Sequence, residues 1–352
     1  MEKSSLLAKL IETVIRENGS DLHLSEGRQP VIRATGYLIP LVNEKQLART
    51  DMEDFLSVLL TADQKKEFME TKEMDFAYSH ESVRFRGNAF VRMGKISIAL
   101  RLIPKRIRTL AELNLPPILE MFAKKQQGFF LCVGPVGQGK STTLASLIEM
   151  INAERMEHIV TIEDPIEYVF EADKSIIDQR EVTIDTADFH TALWSVFRQD
   201  VDVLMIGEMR DPETISTAVT AAETGHLVLS TLHTNTAAQT IDRIIDSFPA
   251  DQQSQIRVQL AGSLIGIFSQ RLIPRVSGGL IPAYELLINN SAVANLIRDK
   301  RSHEINAVIE TSSGEGMIDL NRSLATLVAQ GEITVENAYL FSTNSKTLER
   351  ML

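Results

Sequence analysis

At 352 residues, with 44% apolar and 24% charged side chains, the chain is long enough for two folded domains and has the composition of neither a disordered tract nor a disulfide scaffold. Its formal net charge of -11 argues against a nucleic-acid motor, because phosphate contacts need a basic groove. Cys132 is the single cysteine, which excludes an intrachain disulfide or a cysteine zinc site and fits a reducing compartment, and no apolar run is long enough to span a bilayer.

The expected protein is therefore soluble, without an integral membrane segment, and meets a membrane only through a partner. Leu6, Leu7, Leu10, Ile11 and Val14 recur at helical spacing, but Lys3, Lys9, Glu12 and Arg16 interrupt the run, unlike a signal peptide. From 20 to 102 short alternating runs (Val31 to Arg33, Phe76 to Tyr78, Val83 to Val91) flank helical stretches around 51 to 70, so residues 1–102 read as a small α+β domain. Pro104, Pro116 and Pro117, among Lys105, Arg106 and Arg108, mark 103–117 as a linker with one short helical turn.

From Gly128 the pattern becomes that of an α/β domain over 118–352. Phe129 to Val133, Ile159 to Ile162, Val203 to Ile206 and Leu227 to Thr231 are apolar runs of the kind buried in a mainly parallel sheet. Between them, Leu144, Leu147, Ile148 and Ile151 share one helical face, as do Ile215, Ala218, Val219 and Ala222. Beyond about 290 the chain reads as helical, with Ile318 to Ala329 and Val335 to Phe341 as candidate helices.

The chemistry is concentrated at strand ends. Gly134, Pro135, Val136, Gly137, Gln138, Gly139, Lys140 and Ser141, followed by Thr142, satisfy the phosphate-loop pattern directly after a strand and at the start of a helix. Such a loop wraps ATP with backbone N–H groups, sends Lys140 to the β/γ oxygens and offers the Ser141 hydroxyl to Mg²⁺. Thr161-Ile-Glu163-Asp164-Pro165-Ile-Glu167-Tyr168 ends a second strand, where Glu163 either orients the attacking water or is an ordinary strand-end charge. In Val203-Leu-Met-Ile-Gly207-Glu208-Met-Arg210-Asp211, glycine stands where an aspartate usually precedes the carboxylate. Glu208 there either holds Mg²⁺ through water or starts a helix. Gly225-His226 to Thr231-Leu-His233-Thr234 lacks the further ligands of a zinc site; His233 suits the γ-phosphate, and His226 equally suits a structural role. Arg84, Arg86 and Arg101 are either solvated strand charges or, in a ring of subunits, fingers for a neighbour's nucleotide.

Together these segments resemble the secretion-type ATPases related to the AAA class, and most of all the PilT-like retraction ATPases of twitching motility. Ser20-Asp-Leu-His-Leu-Ser25 and Arg84-Phe-Arg-Gly-Asn-Ala-Phe90 resemble signatures of that family's PAS-like N-terminal domain. Thr161 to Glu167 resembles its Asp box, Gly207 to Asp211 its atypical Walker B strand, and Thr224 to Thr234 its His box. The resemblance implies a RecA-like P-loop domain after the PAS-like one. It also implies Glu163 as catalytic glutamate, Glu208 near Mg²⁺, His233 near the γ-phosphate, and Arg86 with Arg101 acting across subunits.

It further implies a cytoplasmic homo-hexamer, peripheral at the inner face of the membrane. Such a ring docks on the pilus platform protein, has a paralogous retraction ATPase as a further partner, and drives pilin back into the bilayer. Val136 and Gln138 replace small hydroxyl residues usual in the family's phosphate loop, and Ala294 stands where an arginine is expected in Ala292 to Arg298. Tyr168 and that run lean toward the accessory, PilU-like paralogue; Glu208 to Asp211 and Thr231 to Thr234 lean toward the principal motor. An assembly or secretion ATPase is the nearest alternative, disfavoured by the single cysteine and the short N-terminal region. A nucleic-acid translocase and a non-hydrolysing scaffold follow, the latter disfavoured by Glu163 and Glu208.

Overall fold

The helical spacing at the N-terminus becomes α1 (Lys3–Arg16), which buries Leu7, Leu10, Ile11 and Val14. The computed structural model describes residues 3–34, 37–81, 83–103 and 106–352, with side chains from Leu6 onward; Pro104 and Lys105 of the expected linker lie outside the described residues. By their internal packing, Met1–Arg106 and Ile107–Leu352 form separate units.

In the first unit, β1 (Gly19–Ser25), β2 (Val31–Ala34), β3 (Tyr37–Pro40), β4 (Glu73–His80), β5 (Val83–Arg92) and β6 (Lys95–Ile103) form an antiparallel sheet ordered β3-β2-β1-β6-β5-β4. Two helices, α2 (Arg49–Leu59) and α3 (Ala62–Thr71), join α1 in its core, through Met52, Phe55, Leu56 and Phe68. Thr61 and Gln64 begin α3 with a reciprocal capping box.

The second unit opens with α4 (Glu120–Ala123), β7 (Gly128–Val133), α5 (Lys140–Glu154), β8 (His158–Glu163), β9 (Ile176–Glu181), α6 (Phe189–Val196), β10 (Val203–Ile206), α7 (Pro212–Glu223) and β11 (Leu227–Leu232). It continues through α8 (Ala237–Asp246), α9 (Gln253–Ser263), β12 (Leu264–Pro274) and β13 (Leu280–Ile288). The sheet runs β13-β12-β7-β11-β10-β8-β9, parallel except for the antiparallel β12–β13 pair.

Both faces are covered, which is why the central strands read as unbroken apolar runs. Phe129, Leu131 and Val133 of β7 face the core shared with α6 to α9, while Phe130 and Cys132 face the core shared with α4 and α5. The chain ends in α10 (Ser291–Arg298), α11 (Ile305–Thr311), α12 (Leu320–Ala329), α13 (Val335–Phe341) and α14 (Ser345–Glu349). Ala294 lies on the buried face of α10 with Val293 and Ile297, a position where an arginine would have to carry its charge out of the core.

Candidate nucleotide site

The ends of β7, β8, β10 and β11 carry the chemically distinctive residues to one edge of the parallel sheet, where open α/β sheets form their ligand crevice. Between β7 and α5 the phosphate loop bends through positive φ at Gly134, Gly137 and Gly139. A Cβ at Gly134 would stand 2.5 Å from the Gln270 carbonyl oxygen, and one at Gly139 2.9 Å from Gln270 Nε2, so the loop lies against β12 as only glycine permits. Val136 points to solvent. Gly137, Gln138, Gly139, Lys140, Ser141, Thr142 and Glu167 line a cavity of about 260 Å³.

Lys140 is 7% exposed, and its Nζ donates to the carbonyl oxygens of Gly134 and Pro135, both at 2.9 Å. Burial draws the ammonium below its ordinary pKa, while the Glu167 and Glu208 carboxylates act to keep it charged. His233 Nδ1 lies 3.3 Å from the same Nζ, and its Nε2 3.5 Å from Glu208 Oε2. An ammonium has only protons to offer, so Nδ1 is the acceptor and the imidazole proton sits on Nε2, toward Glu208. Arg210 pairs with the other oxygen of Glu208. The helix-start role belongs instead to Asp211, which caps α7 by accepting from Thr214 N.

Glu163, 5% exposed, ends β8. Its Oε1 accepts from Thr161 Oγ1 at 2.7 Å and from Gln179 Nε2 at 3.3 Å, and its Oε2 accepts from Glu167 N at 3.2 Å. Burial nevertheless dominates and pushes its pKa up to about 7, the three donors opposing. A carboxyl poised there suits proton abstraction near neutrality. Gly207 follows from the same geometry: an added Cβ would lie 3.8 Å from Glu163 Cγ, so an aspartate would bring a second carboxylate against the first.

A family model described as type II/IV secretion system protein matches residues 2–283. The chain belongs to that family. This ATPase is 41% identical over 333 residues to the type IV pilus retraction ATPase PilT of Pseudomonas aeruginosa, covering 94% of this chain and 96% of that one. It is 39% identical over 346 residues to the type IV pilus ATPase PilU of the same organism, covering 98% and 90%. A crystal structure of the pilus retraction motor PilT with bound ADP superposes with a TM-score of 0.92 at 43% identity, covering 97% of this chain and 98% of that one. The mixed α/β architecture, an antiparallel N-terminal sheet followed by a mostly parallel one, matches that structure. No helix among the described residues is long and apolar enough to cross a membrane.

Within the ATPase's second unit, Lys140 joins the phosphate loop to His233, and His233 in turn meets Glu208. Ser141 and Glu208 line neighbouring cavities rather than one; Glu208, Arg210, His233, Thr234 and Arg243 border a second space of about 380 Å³. Arg86 and Arg101 belong to the first unit, directly opposite each other on β5 and β6 and both exposed. Facing like charges repel, and Arg101 is tied back by a 2.9 Å bond from its Nε to Asp21 Oδ1. Against the cost of burial, the bonds from Ser20 and Arg101 hold the Asp21 carboxyl below its ordinary pKa.

His226 has the structural role: Nδ1 meets the Ala221 carbonyl at 2.9 Å and the ring packs edge-on against Phe197. Residues missed by sequence reasoning are Gln179, which also donates to Tyr168 O at 2.7 Å and accepts from Phe170 N, and Gln270. Tyr168 OH lies 2.8 Å from Thr142 Oγ1, linking the Glu163 segment to the phosphate loop. A glutamine has no motif of its own. The Ser277-Gly-Gly turn between the apolar runs of β12 and β13 was nonetheless a readable hairpin signal.

Proposed function

We propose that this chain is the motor subunit of type IV pilus retraction. It would work as a homo-hexamer at the inner face of the cytoplasmic membrane, docked on the pilus platform protein and paired with a paralogous retraction ATPase. In this reading residues 1–102 are a PAS-like domain, 103–117 the linker, and 118–352 a RecA-like motor domain with a helical part from about 290. The observation that supports it most is the meeting of Lys140, inside the phosphate loop, with His233 and Glu208 from two other strand ends.

Glycine contacts that exclude a Cβ at Gly134 and Gly139, and the hard oxygen donors of Ser141 and Glu208, suit a nucleotide polyphosphate with Mg²⁺. Bound Mg-ATP would bring the reactive γ-phosphoryl group and a counter-charge for it. Lys140 would neutralise the β/γ oxygens, Ser141 and, through water, Glu208 would hold the cation, and His233, beside Lys140, would sense the state of the γ position. Glu163 accepts the proton of the attacking water, while Gly137 to Thr142 supply backbone donors. Arg86 and Arg101 add positive charge from the first unit of one subunit to the nucleotide of the next.

Two measurements test this. Mixing Arg86→Ala/Arg101→Ala subunits with Lys140→Ala subunits restores part of the ATPase, because some mixed interfaces pair an intact loop with intact arginines; verified co-assembly without rescue refutes action in trans. In a piliated host, deletion gives more or longer surface pili and impaired twitching, with a milder effect for an accessory motor. A bald cell would mean an extension motor.

A further inference from the structure

The last residues of β12 touch both loops that meet at Lys140 and His233. We propose that this strand end is a brace setting the Lys140–His233 spacing, with Gln270 the positioning residue for the phosphate loop and Arg271, acting through Asn235, that for His233. The inference rests on the nucleotide-site reading above. It adds a role for residues outside every motif of that site.

Pairing between β12 and β7 ends at Ser269 and Val133, yet β12 continues to Pro274 beside β13. On the side β7 has vacated, the Leu272 N–H has no strand to bond and donates to Gln138 Oε1 at 2.7 Å. Gln270 is buried; its Nε2 donates to the Gln138 carbonyl oxygen at 2.8 Å and its Oε1 accepts from Thr143 Oγ1 at 2.6 Å. One amide thus spans the loop just before Lys140 and the helix just after it. The residue that departs from the family's usual small hydroxyl, Gln138, is the one long enough to reach the strand.

Side chains alternate along a strand, so residues 269 and 271 face the opposite way. Ser269 Oγ donates to the Asn235 carbonyl oxygen at 2.8 Å, and Arg271 Nη2 donates to Asn235 Oδ1 at 2.9 Å, two residues beyond His233. Glu285 of β13, beside Arg271, accepts from Ala237 N at 2.7 Å and holds the start of α8 in the same frame. The phosphate loop and the His233 loop are therefore gripped by successive residues of a single strand. A shift of about 1 Å between reacting groups is enough to cost on the order of a hundredfold in rate.

The test uses the full-length assembled protein. Gln270→Leu, and Gln270→Glu as the near-isosteric variant that keeps an acceptor for Thr143 but loses the donor to Gln138, raise the KM for ATP and the Kd of a fluorescent ADP about tenfold or more. Arg271→Met and Asn235→Leu lower kcat about tenfold with little change in KM, whereas Asn235→Asp, which still accepts from Arg271, stays near wild type. A purely structural role would lower Tm and the active fraction without this division between KM and kcat. The brace is overturned if Gln270→Glu folds and binds ADP as wild type does, or if Arg271→Met and Asn235→Leu keep full kcat. Wild-type protein that neither binds nor hydrolyses ATP, or an active Lys140→Ala variant, would instead overturn the nucleotide-site reading itself.

Discussion

Lys140→Ala is expected to leave less than about a tenth of the ATP turnover, measured as steady-state phosphate release, because one preorganised charge contact in a phosphoryl-transfer site is worth about 3 kcal/mol. The side chain is buried, anchored on two carbonyl oxygens of its own loop and 3.3 Å from His233. Alanine removes the positive charge from the phosphate oxygens, leaves the Gly134 and Pro135 carbonyls without their donor, and frees His233 from its partner. All three changes act in the same direction. Retention of more than about a tenth of the activity would show that the charge lies elsewhere, since each tenfold corresponds to about 1.4 kcal/mol.

Glu163→Gln acts differently, lowering kcat by about a hundredfold or more while nucleotide affinity stays close to wild type, because a general base works chiefly in the transition state. The amide keeps the volume and an oxygen for Thr161, losing mainly the acceptor toward Glu167 N. The pH profile supplies a second readout. Burial raises the Glu163 pKa to about 7, so below that value the carboxyl is protonated and cannot accept the water's proton. Wild-type kcat therefore rises with pH and levels off above about 7, and the residual activity of Glu163→Gln lacks this limb. Parallel loss of binding and turnover would make Glu163 structural.

What could be read from sequence followed from burial. β7, β8, β10 and β11 are covered on both faces and appear as unbroken apolar runs, and Val335 to Phe341 forms α13 as its spacing suggests. β9 escaped notice because it is the edge strand and carries Asp178, Gln179 and Arg180. β12 escaped because Gly266 breaks its apolar run where Phe122 packs against it, and Ser269 to Arg271 break it where the strand serves the loops. At the site, Lys140, Glu163, Glu208 and His233 are chemically distinctive and sit at strand ends. The glutamines are not, and the Gln138–Gln270 bond joins residues 132 positions apart, which no local pattern records.

Cys132, one residue from the end of β7 and fully buried beneath the phosphate loop, has its thiol pushed up to about 12 by burial, with Lys140 opposing. A neutral, enclosed thiol of that kind is inert toward alkylating reagents. Since it is the only cysteine in 352 residues, the native chain is already a blank background for dye chemistry. A cysteine placed at one exposed position of the first unit and another of the second would take a donor and acceptor pair selectively. Distance changes during turnover could then be followed without first removing any natural residue.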